Sequence, residues 1–387
     1  MEKLYENDPF LTEFDGVVVS CTQVEKGYDV VLNQTAFYPE GGGQPFDTGV
    51  LGGQQVLEVH TRQGLVVHTC DGPLTVGSTV HGQIDWGRRF DLMQQHSGEH
   101  IVSGLAHARW GCDNVGFHMG STLITIDLNV VLDEKQLSEL EEEVNRYIWE
   151  DHPVVVTYPT PQELEELDYR SKKELSGQVR IVSFPGADCC ACCGTHVRSS
   201  GQIGLVKLLT VQKFREGVRI ELVCGGRALT YLNEIIGQNT QVSHLLSAKV
   251  FGTGAATQRL LEENNTLKAR LAKLEDAHFA AIAQSFAGAG DVILFEEDLS
   301  PDGLRRLCDR VLDGCTGRCA CFSGSDDTGY KYAIGNRGGD LRALVKELNQ
   351  ALHGRGGGKP DFVQGSVQAG AEDIRTFLAQ HGSASCG

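Results

Sequence analysis

Two short segments, far apart along the chain, constrain its fold more than anything else in it. One is HSGEH, residues 96–100; the other is CCACCGTHV, residues 189–197. On an α-helix, positions i and i+4 share a face, so His96 and His100 point the same way. Two imidazoles at this spacing can hold one zinc ion. In the second segment Cys192 and His196 form C-x-x-x-H around turn-forming Gly194, and a thiolate beside an imidazole suits the same ion. An H-x-x-x-H pair alone is as readily two helix-surface histidines. Together the pairs offer up to four ligands, and a chain that unites them must fold the helix near residue 100 against the loop near residue 195.

Other readings share these residues. HSGEH also matches H-x-x-E-H, the inverted zinc-peptidase pattern, which wants Glu99 as base and a distant acidic third ligand. The thiolate pair weighs against it. Cys189/Cys192 and Cys190/Cys193 make overlapping C-x-x-C pairs, open to a second metal, redox chemistry or neither.

The chain opens with charge and no apolar run, and it has no stretch of membrane-spanning length. A cytoplasmic protein is expected, and its thirteen cysteines are then not a disulfide framework. Most of the scattered ones fit as small buried hydrophobes. A net charge of −17 disfavours broad nucleic-acid binding, which needs Lys and Arg against phosphate, and leaves room only for a local basic patch.

The expected fold class is α+β in four parts. Residues 1–84 form a β-rich, barrel-like module, with strands at 17–23, 28–37, 55–61 and 64–71 between Gly-rich turns. Residues 85–226 form an α+β domain carrying both ligand segments. It has helices over 88–110 and 133–151 and strands at 121–129, 178–184, 203–214 and 218–225. Residues 227–286 form a helical hairpin, 228–250 and 258–285, broken by FGTG. Leu260, Leu267 and Leu274 recur every seven residues, with Leu271 beside them and Asn264 at an a-like position. Residues 287–387 form a small α/β domain. Its strands lie at 291–297, 320–325 and 330–336, its helices at 301–313 and 340–352, and a Gly-rich basic loop at 353–366.

FYPEGGGQPFDTG (37–49), the HSGEH helix, VRIVSF (179–184) and CCGTHVRSSGQIG (192–204) occur in this order. They resemble the editing domain of alanyl-tRNA synthetases and the free-standing AlaX-type alanyl-tRNA editing proteins. The segment 335–366 resembles the DHHA1 domain of the same proteins. Two details depart from the pattern: Cys193 stands at a Gly position, a rival ligand beside Cys192, and SGE separates the two histidines. The chain starts at the editing module, which fits the long AlaX type without an aminoacylation domain.

The resemblance implies a trans-editing deacylase that hydrolyses the ester of tRNA(Ala) mischarged with serine or glycine. It implies one Zn²⁺ per chain on His96, His100, Cys192 and His196. Gly41, Gly42, Gly43 and Gln44 would floor the aminoacyl-adenosine, and Thr195 would meet the serine hydroxyl or shape the turn. Glu99 is either an outer support of the ligands or on the solvated side of its helix. Arg180 is a strand-surface charge or a phosphate contact. Arg337, Arg342, Lys346, Arg355 and Lys359 are the candidate tRNA contacts. Neither DNA nor a membrane is an expected partner. A monomer fits, as does a homodimer through the hairpin or the C-terminal domain. The alternative is an inactive or repurposed tRNA-binding protein with a structural zinc.

Overall fold

The computed structural model describes residues 1–171 and 177–381. The chain is mixed α+β and divides into two compact units, Met1–Thr240 and Gln241–Gly387.

In the first unit, six strands close into a barrel. Their order is Glu13–Val24, Gly27–Leu32, Leu65–Cys70, Gln54–Arg62, Gly49–Leu51 and Thr79–Ile84. Alternation drives it: Phe14, Gly16 and Val18 face inward while Glu13, Asp15 and Val17 face out. Val30, Leu32, Phe37, Leu51, Val59 and Val66 complete the barrel core.

The ligand helix follows, Trp86–Trp110. Asp85 caps it by accepting from the Arg88 amide, and Gly111 ends it in the left-handed region at φ 64°. Every residue from Gln95 to Ala106 is buried, so this stretch of the helix is surrounded by protein on all sides. Gly98 is what lets it seat: a Cβ there would lie 2.3 Å from Cys224 Sγ and 3.2 Å from Val206. A four-stranded sheet (Val206–Phe214, Gly217–Cys224, Ile124–Leu128, Asn114–Met119), a three-stranded sheet (Val155–Thr157, Ile181–Phe184, Asp188–Ala191) and the helix Glu134–Trp149 belong to the same unit. Their core holds Leu92, Ile101, Val102, Ile126, Leu140, Val144, Phe184 and Ile220.

A buried ion pair ties the barrel segment to this helix. Arg89 donates from Nε to Asp47 Oδ1 at 2.9 Å and from Nη2 to Asp47 Oδ2. It also donates to the carbonyls of Pro9 (2.7 Å) and Ala36 (2.6 Å). Both side chains are fully buried.

In the second unit a five-stranded sheet runs Val292–Glu296, Cys319–Ser325, Gly329–Gly335, Phe362–Val367 and Arg355–Lys359. The helices Pro301–Leu312, Arg342–Ala351 and Ala371–Gln380 accompany it. Here the structure corrects one expectation: 353–366 is not a loop. Arg355–Lys359 and Phe362–Val367 pair antiparallel as the sheet's edge hairpin. Glycine's low strand preference hid it. The glycines serve close approach, because a Cβ on Gly356 would lie 2.3 Å from the Tyr332 hydroxyl and one on Gly365 2.4 Å from it.

The helix expected over 228–250 spans Gly225–Leu245, and the one expected from 258 begins at Thr253, so Gly254 lies inside it and does not break it. Leu260, Leu267, Leu271 and Leu274 are all exposed. No helix among the described residues is long and apolar enough to cross a membrane.

Candidate metal centre

The ligand helix presents His96 and His100 on one face. The loop after the strand Asp188–Ala191 brings in Cys192 and His196. One ligand atom from each of the four lies within 4.8 Å of the others. Cys192 Sγ is 3.5 Å from His96 Nε2 and 3.6 Å from His196 Nε2. The three imidazoles are buried and Cys192 is half-buried.

The residues fit a metal ion on two counts. His100 Nε2 is buried with no hydrogen-bond partner among the described residues, an expensive state that a bound cation relieves. The outer nitrogens of both helix histidines are also committed. His96 Nδ1 lies 2.9 Å from Gln44 Oε1 and His100 Nδ1 2.7 Å from Asp188 Oδ2. If each Nδ1 carries the proton, each Nε2 lone pair is left for a metal.

Each holder is itself held. Gln44 Nε2 donates to Thr195 Oγ1 at 2.8 Å, and the Thr195 amide donates to Gln44 Oε1 at 3.0 Å. Asp188 accepts from Arg170 Nε (2.7 Å) and Nη2 (2.9 Å). Phe117 stacks on His96 and Phe184 on His100, each at 5.6 Å between centroids. Gly194 is required for this fit: a Cβ there would lie 2.2 Å from His96 Cε1.

The electrostatics favour a thiolate. Burial alone pushes the Cys192 thiol up, but the surrounding imidazoles of His96, His196 and His100 outweigh it and hold the thiol well below its usual range. Burial drives His196 down to about 3, so it stands neutral, as a metal ligand must. For His100, burial opposes the proton while the hydrogen bond to Asp188 and the neighbouring thiols favour it, and the net direction is upward.

Some residues stand where the sequence did not place them. Arg180 is buried and is neither a surface charge nor free for phosphate: its Nη1 donates to the carbonyls of Cys192 (2.8 Å) and Gly194 (3.0 Å), clamping the ligand loop. Glu99 is buried, not solvated, and accepts from Ser103 Oγ at 2.8 Å and Asn114 Nδ2 at 2.5 Å. Cys193, the rival ligand, is exposed and lies outside the group of four. Cys190 falls in a separate close group with His100 and Asp188. Gly41 and Gln44 bridge to close the glycine turn, with the Tyr38 hydroxyl donating to the Gly41 carbonyl at 2.9 Å. Thr195 and Gln44 are both buried and paired with each other.

The basic residues of the second unit are less free than their sequence suggests. Arg337 pairs with Asp309 (2.8 Å) and Asp313 (2.6 Å), and Arg342 with Asp340. Lys346, Arg355 and Lys359 are exposed, the last two on the edge strand.

Replacing Gln44 with alanine is expected to weaken metal binding roughly 10- to 100-fold, the usual cost of losing such an outer partner, while the fold persists. A competition titration against a chromogenic chelator reads this directly.

Three family models match the chain. They are tRNA synthetases class II (A) over residues 10–88, the threonyl and alanyl tRNA synthetase second additional domain over 179–221, and the DHHA1 domain over 281–382. The matches therefore place synthetase-type domains ahead of a DHHA1 domain in one chain. The alanyl-tRNA editing protein AlaX-L of Pyrococcus horikoshii is 28% identical, covering 97% of this chain and 96% of its own. The alanyl-tRNA editing protein Aarsd1 of Mus musculus is 27% identical, covering 95% and 94%. An alanine–tRNA ligase of Halorubrum lacusprofundi is 31% identical over 94% of this chain, which spans only 42% of that ligase. Over nearly its whole length the chain is thus similar to long alanyl-tRNA editing proteins.

Proposed function

We propose that this chain hydrolyses the ester linking serine, or glycine, to the 3′ end of tRNA(Ala), as a zinc-dependent editing enzyme acting in trans in the cytoplasm. The observation that carries it is the buried cluster His96, His100, Cys192 and His196, with Gln44 and Asp188 fixing two of its rings. Names and family models of the relatives point the same way.

A zinc ion on these residues would supply a Lewis acid that polarises a carbonyl or anchors the amino acid. The remaining work belongs to the chain. Gln44 and Thr195 are engaged with each other, so we assign them to positioning His96 and the ligand loop. Gly42 and Gly43 are exposed at the same turn and are the part left to receive the aminoacyl-adenosine. Discrimination against alanine needs a polar partner for the serine hydroxyl, which alanine would leave unpaired. We place tRNA contacts on Lys346, Arg355 and Lys359, with Arg337 and Arg342 contributing only by exchanging carboxylate for phosphate. The four-part division drawn from the sequence, at 84, 226 and 286, remains our domain assignment.

The test is hydrolysis of Ser-, Gly- and Ala-tRNA(Ala) by the zinc-loaded chain, with and without chelator. Chelator-sensitive loss of serine with alanine spared is expected. Four protein ligands can also close a zinc site; tight tRNA binding with no hydrolysis of any ester would instead establish a binding protein with a structural metal.

A further inference from the structure

The second unit holds a separate thiol cluster. Cys308 comes from the helix Pro301–Leu312, and Cys319 and Cys321 from one face of the strand Cys319–Ser325. Their three sulfurs lie within 4.8 Å of one another, and the Cys319–Cys321 pair is 3.6 Å apart. All three residues are fully buried. A trigonal ion with bonds of about 2.3 Å to sulfur sets its donors about 4 Å apart, so little movement would close the triangle. Cys315, half-buried, lies on the turn between the helix and the strand. The four described cysteines of this unit thus fall within one short helix–turn–strand segment.

We propose that Cys308, Cys319 and Cys321 form a three-coordinate site for a thiophilic ion, trivalent and of the arsenic type. Softness follows from three sulfur donors with no nitrogen or oxygen ligand in the group. The charge follows from the surroundings. Leu294 pairs with Cys321, and Glu296, two residues along, faces the same side of the sheet. Arg318 is occupied by Asp291 and by the carbonyls of Leu378 and His381. A buried site with an acid nearby and its neighbouring arginine engaged favours a neutral complex. Three thiolates neutralise a trivalent ion, but leave net negative charge with a monovalent or divalent one. Loading with arsenous acid balances without redox change. Three As–S bonds form, three As–O bonds break, and the three thiol protons leave with the hydroxyls as three waters.

The probe is arsenite, added to the full zinc-loaded chain in which Cys189, Cys190 and Cys193 are serine, so that this run of thiols cannot capture it. The expected result is one arsenic per chain by native mass spectrometry and three sulfur neighbours by X-ray absorption. Cys308→Ser should reduce affinity at least tenfold, and Cys315→Ser should leave it unchanged. Cys321→Ala provides a second disruption should Cys308→Ser fold poorly. No arsenic on the parent chain, two-sulfur coordination, or unchanged affinity in both variants would overturn the site. Tighter binding of zinc than of arsenite would overturn the charge assignment.

Discussion

His100→Ala is expected to reduce Ser-tRNA(Ala) deacylation by at least about a hundredfold, since losing a ligand costs more than losing an outer partner. Metal content should fall with it. The fold should survive, because Asp188 keeps both hydrogen bonds from Arg170 when the imidazole goes. Measuring zinc per chain, the deacylation rate and the circular dichroism on one preparation separates the readings. Full activity without His100 would remove the metal centre from the mechanism. Lost activity with full zinc and intact fold would mean that His100 acts without holding metal.

Asp47→Ala is the substitution with the largest expected effect on stability. It leaves the Arg89 guanidinium buried with no carboxylate, held only through the carbonyls of Pro9 and Ala36 among the described residues. It also takes the acceptor from the Tyr38 amide, now 2.5 Å from Asp47 Oδ2. Breaking one side of a buried pair typically costs about 3–5 kcal/mol. The urea midpoint should fall accordingly. Replacing both partners together with apolar residues should cost less than Asp47→Ala alone, since no charge is then stranded. Tyr38 follows directly on Phe37 and precedes the glycine turn, so slackening here should also weaken metal binding through Gln44.

The cluster of four candidate ligands was legible in the sequence because its signals are local. A four-residue spacing on a helix makes His96 and His100 neighbours, and C-x-x-x-H does the same for Cys192 and His196 in a turn. What holds them was not legible. Gln44 meets His96 from 52 positions away and Asp188 meets His100 from 88, and no spacing rule links such pairs. Arg180 looked like a surface charge because strand alternation says which side a residue faces and not whether another layer covers that side. The edge hairpin at 355–367 was missed for the opposite reason: its glycines argue locally for a loop, and the Tyr332 hydroxyl that crowds Gly356 and Gly365 is supplied by another strand. The strand Asn114–Met119 and the helix Ala371–Gln380 were likewise not anticipated.

The distance between the two ligand segments also sets an order of events. A ribosome delivers the HSGEH helix about ninety residues before Cys192, a delay of roughly 5–20 s at about 5–20 residues per second. Asp188 and Arg170, which orient and secure His100, arrive in that same late stretch. During the interval the growing chain has two of the four candidate ligands, and it lacks Cys192, His196 and the Asp188 carboxylate that orients His100. On the proposed zinc reading, metal capture is a finishing step for this unit and not a seed for its folding, and zinc content would count the chains that have completed the first unit correctly.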